Sequence, residues 1–389
     1  MATVLMLVTN PVNPDPRVER EAQALAESGL EVRVLGTRGA RSLPNACIHS
    51  GGFEILRTSS RCILSRNPKL GWLAPVLDLL QFHVNVVRIL PRALEDVAVV
   101  HCHDFDTLLL GFLCSRLIGA RLVYDSHEAF SAMFSARVPD WVRKVVDSIE
   151  ALLARRSCVI TVGTLLSRRF RRMTGVEAVV VRNVPAEWEY VAQKTDSDAF
   201  VVGFVGALIQ DRSIEPLIQG FKVFRQNHPE SALRIAGSGP QEHLVIDAAA
   251  ASNSAIVHES RIPYSAVPKF LSQVSISTVL YTRTNANAYY SSPNKLFESG
   301  LSGVPVLASN FGELCYLVRK YKLGFVVDPD SPEKIAEALE RIHERRNELK
   351  QMGIAARETV LREFPWKLYR ERLLSTYSRL LSQTSSRRF

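Results

Sequence analysis

Residues able to do chemistry fall in four short stretches of this 389-residue chain. The first, His101-Cys102-His103-Asp104-Phe105-Asp106, follows a valine-rich run. In a strand, His101 and His103 would share one face, because side chains alternate with a period of two. Two histidines beside carboxylates could hold zinc, or Asp104 and Asp106 could clamp a metal-bound nucleotide. The third option has these aspartates capping a helix over Thr107–Leu117. A metal hydrolase would carry a further histidine after the aspartate, where Phe105 and Asp106 stand. Caps are therefore expected, and no metal. Ser291–Ser309 is the second stretch, where Ser292, Pro293 and Asn294 turn into a helical pattern over Asn294–Ser299. Gly300 and Gly303 are expected to break it before the strand-like run Val304–Ala308. A helix start offers unpaired N–H groups and a positive dipole end to phosphate. Lys295 would oppose that dipole unless a diphosphate were bound, and Glu298 could accept hydrogen bonds from a vicinal diol such as ribose. An ordinary helix with a surface lysine and glutamate is the alternative.

In the third stretch, Gly206 permits close backbone approach and Arg212 precedes a helix start near Ser213. A guanidinium there can hold a diphosphate bidentately. The fourth, Val123-Tyr124-Asp125-Ser126-His127-Glu128, ends a strand pattern and offers His127 and Glu128 to an acceptor, a core histidine paired with its neighbour being the alternative.

These stretches need a parallel sheet to position them. Thr3–Thr9 is a buried-strand run, Asp15-Pro16 an N-cap and first-turn proline, and Val18, Ala22, Leu25 and Ala26 a helical stripe ending at Gly29. With the strand Glu31–Leu35 this makes a βαβ unit. The loop between Thr9 and Arg17, carrying Asn13, lies at the carboxyl end of the first strand, where such folds bind ligands, and offers Asn13 and Arg17 to the acceptor side. Strands over 97–101, 121–124, 159–162 and 178–181 alternate with helices over 73–90, 107–117 and 141–154. After the polar stretch Gln193–Asp198 a second cycle opens, with strands near 200–205, 232–236, 255–258, 275–280, 304–308 and 324–327. The turn Ala236–Pro240, containing Gly237, joins a strand to a helix in that cycle. The absence of Gly-x-Gly-x-x-Gly in the first loop argues against a nicotinamide dehydrogenase.

PNKLFESGLSGVPVLAS (293–309) resembles the donor-binding segment of the family-4 retaining glycosyltransferases of GT-B architecture. DPRVEREA, VVHCHDFDTLLLG, VYDSHE and HESRIPYSAVPKFL are similar to further segments of that family. The resemblance implies an α/β chain of two Rossmann-like doubly wound domains facing each other across a cleft. These would be an acceptor-side domain over 1–183 and a nucleotide-sugar domain over 184–364. A C-terminal helix within 365–389 would cross back to the first. It further implies His103 at the donor sugar, Gly237 near the donor, and backbone near Arg261 and Ile262 at the base. The implied reaction is metal-free, cofactor-free sugar transfer with retention, from a nucleotide-diphosphate sugar to the hydroxyl of a glycan, lipid-linked or small-molecule acceptor. Tyr290 stands where the family has its first glutamate, Ala207 where it has an arginine, and the first loop lacks a glycine pair. Those departures leave open a nucleotide-sugar-binding partner without catalysis; a GT-B epimerase or phosphorylase is a further alternative.

Composition sets the remaining bounds. Hydrophobic residues make up 47% and charged residues 22%, ordinary for a globular protein. None of the six cysteines forms a CxxC or finger spacing, which reads as reduced thiols in the cytoplasm. A start without a basic n-region and the lack of a spanning apolar run point the same way. The net charge of +9 suits an anionic partner. Six arginines within Arg155–Arg172 have no acidic residue among them. They suit peripheral contact with anionic lipid at the inner face of a membrane, a solvated face being the alternative. Without interleaved aromatics or a recognition helix, nucleic acid is not expected as a partner.

Overall fold

The computed structural model describes residues 2–38, 43–59, 73–133, 138–192 and 199–385. The polar stretch Gln193–Asp198 and the last four residues lie outside the described residues. The chain divides into two compact units: Met1–Val181 with Lys367–Phe389, and Arg182–Trp366.

Unit 1 runs β1 (Thr3–Leu7), α1 (Pro16–Glu27), β2 (Glu31–Thr37), β3 (Ala46–Ile48), β4 (Glu54–Thr58), α2 (Leu73–Ala93), β5 (Val97–His103), α3 (Phe105–Ile118), β6 (Arg121–Ser126), α4 (Asp140–Ala154), β7 (Cys158–Thr161), α5 (Thr164–Thr174) and β8 (Val179–Val180). Its sheet has the order β3-β4-β2-β1-β5-β6-β7-β8, parallel except for β3 against β4. All five side chains of β1 are buried, as a strand covered by helices on both faces requires. Asp15 caps α1 by accepting from the Arg17 and Val18 N–H groups, and Val18, Ala22 and Leu25 carry the helix into the core.

Unit 2 runs β9 (Val201–Val205), α6 (Ile214–Arg225), β10 (Ala232–Ala236), α7 (Glu242–Ala250), β11 (Ile256–Glu259), α8 (Val267–Leu271), β12 (Ile276–Val279), α9 (Asn294–Leu301), β13 (Val306–Ser309), α10 (Gly312–Tyr321), β14 (Gly324–Val327), α11 (Pro332–Glu344) and α12 (Leu349–Glu363). The long helix α13 (Trp366–Ser385) then belongs to unit 1 from Lys367 onward. The parallel sheet of unit 2 has the order β11-β10-β9-β12-β13-β14. Its core packs Leu217, Ile218, Phe221 and Phe224 of α6 with Ile335, Leu339 and Ile342 of α11.

Strand order reverses beside β1 in one sheet and beside β9 in the other. Adjacent crossovers leave in opposite directions at such a point and open a crevice at the carboxyl ends. His103 ends β5 next to β1, and Gly206 follows β9 next to β12.

Two local expectations differ from the structure. Gly300 does not end its helix: α9 runs to Leu301, and the missing side chain admits Val360 of α12, which a Cβ there would meet at 2.6 Å. The edge strand β3 and its neighbour β4 carry no strong alternation of residue type, and sequence patterning passed over both.

Candidate functional site

In unit 2 the turn after β9 and the start of α9 meet. Gly206 takes φ +139°, and a Cβ on it would collide with the Lys295 ammonium. Lys295 lies in the first turn of α9, with Nζ 4.2 Å from the centre of the Phe204 ring. Burial pushes its pKa down to about 7, assisted by the positive charge of Arg212 and opposed by Glu298. The Arg212 guanidinium carbon lies over the Tyr281 ring, 3.9 Å from its centre. Neither cation forms an ion pair among the described residues. Pro293 precedes α9 in extended conformation without any side-chain cap; the Leu296 N–H donates to the Pro293 carbonyl, and the Asn294 and Lys295 N–H groups head the helix ahead of it. Glu298 is buried, and its Oε1 accepts a hydrogen bond from the Tyr264 hydroxyl at 3.0 Å. Tyr264 follows the Arg261-Ile262-Pro263 segment, so that segment is tied to α9; Arg261 is exposed, and Ile262 packs on an apolar cluster with Phe270 and Val274. Gly237 serves packing: a Cβ there would overlap the Gly206 carbonyl oxygen. Ser292 is buried and accepts from Arg182, which also pairs with Glu313 at 2.8 Å. Local patterning carries no sign of Arg182, because its partners lie more than 100 positions away.

In unit 1 a buried polar network surrounds the end of β5. His101 and His103 do share a face, with ring centres 4.4 Å apart. His101 Nδ1 lies 2.7 Å from the Tyr377 hydroxyl on α13. His103 is 1% exposed, with Nδ1 3.3 Å from His127 Nε2 and 3.5 Å from Asp125 Oδ2. Desolvation lowers the pKa of both His101 and His103, which favours neutral rings. His127 differs: its side chain keeps 20% exposure and lies between two carboxylates, Nε2 at 2.9 Å from Asp125 and Nδ1 at 3.2 Å from Asp104. Although burial alone would lower its pKa, Asp104 and Asp125 raise it well above the usual histidine value, making it an imidazolium.

Several sequence expectations change here. Arg17 is buried and grips Asp125 through Nε and Nη2 at 2.6–3.0 Å, touches Glu21 at 3.0 Å and donates to the Val181 carbonyl. It is a core ion-pair residue, while Asn13, in the loop before α1, is exposed. Glu128 is half-buried, and its carbonyl accepts from the Ser126 hydroxyl. Asp104 and Asp106 are not side-chain caps of α3. Asp104 Oδ1 accepts from the His127 backbone N–H at 2.9 Å, and the Asp106 carboxylate binds the Thr9 hydroxyl. Glu21, His101, His103 and Asp125 come close enough to bracket a cation, yet the Arg17 guanidinium already supplies positive charge to both carboxylates.

The arginine run also changes character. Arg169 is buried and paired with Glu150 at 3.0 Å and with Asp147. Arg155, Arg156, Arg168, Arg171 and Arg172 are exposed. Beside them α4 exposes Trp141, Val145, Ile149 and Leu152, along with Lys144. Among the described residues no helix is long and apolar enough to cross a membrane.

Residues 188–359 match the family described as Glycosyl transferases group 1, and residues 14–187 the Glycosyl transferase 4-like domain. A glycogen synthase of Mycobacterium tuberculosis (strain CDC 1551 / Oshkosh) is 22% identical over 281 residues, 69% of this chain and 66% of that relative's length. Among solved structures, the sucrose-phosphate synthase of Thermosynechococcus elongatus superposes with TM-score 0.78 at 16% identity, covering 98% of this chain and 100% of that one. Anabaena Alr3699/HepE in complex with UDP and glucose gives TM-score 0.71 at 15% identity, covering 97% and 100%. At these identities the structural likeness shows the fold. With two family matches running consecutively over residues 14–359, the chain belongs to the family-4 glycosyltransferases of GT-B architecture.

Proposed function

We propose that this chain transfers a sugar from a nucleotide-diphosphate donor to an acceptor hydroxyl, with retention of configuration. Unit 2 holds the donor. The observation that carries this is the pair of cations, Lys295 and Arg212, which lack an ion-pair partner among the described residues and sit beside the uncapped start of α9. Cations kept partly from water without an ion pair are costly, and a diphosphate removes the cost. As the leaving diphosphate gains charge, the same groups stabilise it more strongly than they stabilise the bound donor. Glu298, oriented by Tyr264, takes the ribose diol, and backbone near Arg261 and Ile262 faces the base. The complexes of HepE with UDP, and with UDP and glucose, support a nucleotide sugar as donor class.

Unit 1 supplies the sugar-facing and acceptor-side groups, His103, His127, Glu128 and Asn13. The exposed edge of the His127 imidazolium is the group best placed to meet a substrate, and His103 sits directly behind it. Contact of the basic and apolar α4 surface with anionic lipid would bring the enzyme to membrane-bound acceptors.

A panel of nucleoside diphosphates in a thermal-shift assay selects the base, since a ligand at 100-fold its Kd stabilises by about 2.7 kcal/mol. Release of product from the matching nucleotide sugar, with acceptor present, then tests transfer. Binding without turnover would instead favour a nucleotide-sugar-binding protein, the reading to which Tyr290 and Ala207 point.

A further inference from the structure

A second cluster of ligand-type side chains lies in unit 2, where the turn after α6 meets the last turn of α11. His228 and Glu230 come from the turn, and Glu340 and His343 from the helix, one turn apart. His228 Nε2 lies 2.6 Å from Glu340 Oε2, and Glu340 also accepts from the Asn227 amide at 3.1 Å. That carboxylate claims the Nε2–H proton, which leaves the Nδ1 lone pair of His228 directed away from it. Nδ1 faces Glu230 Oε1 at 3.9 Å, and His343 Nε2 faces the same oxygen at 3.6 Å. One ligand atom from each of His228, Glu230 and His343 therefore lies within 4.8 Å of the others. The two imidazole centres are only 3.9 Å apart, wedged against Phe200 and Phe224.

We propose that His228, Glu230 and His343 bind a borderline divalent cation of the zinc type, with Glu340 as the positioning residue for His228. Two imidazole nitrogens and one carboxylate oxygen are a donor set that zinc, cobalt and nickel accept. Tetrahedral bonds of about 2.1 Å separate ligand atoms by roughly 3.4 Å, so the present spacings close with small side-chain rotations. A carboxylate holding the far nitrogen of a metal-bound imidazole is the usual outer support, fixing its tautomer and orientation. The fourth position opens to solvent beside Glu230, which is 51% exposed. Placement argues for a structural role. The cluster lies at the C-terminal end of α6, while Arg212 precedes its N-terminus, roughly 18 Å away along the 12-residue helix. A cation here would staple the α6–β10 turn to α11.

The test uses the full chain, free of any affinity tag and stripped with a chelator, titrated with Zn2+ by calorimetry. One equivalent should bind with micromolar or tighter affinity and raise the unfolding temperature by roughly 5–10 °C at saturation. Co2+ should show the intense visible bands of a tetrahedral nitrogen–oxygen site. Glu230→Gln, which alters an exposed side chain, should keep the fold and weaken binding at least tenfold. Glu340→Gln should weaken it roughly 10–100-fold. Donor-nucleotide affinity should stay unchanged in both variants. Zn2+ affinity equal in wild type and Glu230→Gln would place any bound ion elsewhere and overturn the assignment, as would failure to bind at millimolar Zn2+.

Discussion

Replacing Lys295 by Met tests the donor site through its pH dependence. With a pKa near 7 in the free protein, Lys295 loses its proton as pH rises through neutrality. A bound diphosphate restores the ordinary lysine pKa, so binding above pH 7 must take up a proton. Affinity of wild type for its nucleotide sugar should then track the protonated fraction of the free enzyme. That fraction falls from about nine-tenths at pH 6 to about one-tenth at pH 8, and to about one-hundredth at pH 9, since each unit above the pKa costs about 1.4 kcal/mol. Between pH 6 and pH 9 the loss approaches 100-fold, or about 2.7 kcal/mol. The donor's diphosphate is esterified at both ends and does not titrate in this range. Lys295→Met lacks the proton site, so its affinity should be weak at pH 6 and nearly flat with pH, and wild type should fall to the same level only above about pH 10, the pKa of the bound lysine. Calorimetry at several pH values in buffers of different ionisation heat reads both affinity and proton uptake. Parallel curves for the two proteins, a constant offset at every pH, would refute the protonation argument even if Lys295 touched the donor. Identical curves would remove Lys295 from the site.

Arg212→Ala and Glu298→Ala should each weaken nucleotide binding by roughly 1–3 kcal/mol, measured by calorimetry, because each removes a charge-assisted contact. His127→Ala should lower turnover by roughly 10²–10⁴-fold while nucleotide affinity holds; His103→Ala should lower it through loss of the ring behind His127, and activity surviving both substitutions would clear the network of a role. Arg17→Met removes the bidentate partner of the buried Asp125 carboxylate, leaving it only the histidines beside it, and should cost about 3–5 kcal/mol in urea unfolding, against little effect for an exposed pair. The Glu21 carboxyl, raised by burial from 4.5 to about 8, favours the fold below its unfolded pKa, and that contribution disappears as pH climbs from 4.5 through 8. Glu21→Gln should therefore gain stability relative to wild type over that window. Sedimentation with anionic liposomes at low salt and release at high salt are expected if the α4 surface meets lipid; equal recovery with neutral liposomes would dismiss it.

Much of the fold is written locally. Val4 to Leu7 announce a buried strand, Asp15-Pro16 a helix start, and the apolar runs at 201–205 and 232–236 a second sheet. Such signals need only near neighbours, because propensity, capping and periodicity act over one or two turns. The cationic character of the turn into α9 was legible for the same reason: Lys295 sits in the first turn of a helix whose start the Ser-Pro-Asn sequence marks. The sequence could also place His101 and His103 on one face, since a strand's period is two. Their surroundings were decided by residues far along the chain. Tyr377 reaches His101 from 276 positions away, and Arg17 meets Asp125 from 108. Those contacts bury His103, leave the exposed edge to His127 and turn an apparent ligand-facing arginine into core. Asp104, a cap by local rules, is drawn off by the His127 backbone, 23 residues on. A side chain's protonation and exposure are set by whatever the fold packs around it, and in a parallel sheet those neighbours come from strands and helices separated by whole crossovers. The sequence by itself determined which residues could carry charge at each strand end; only the tertiary structure decided which of them remain open to a substrate and which are neutralised inside.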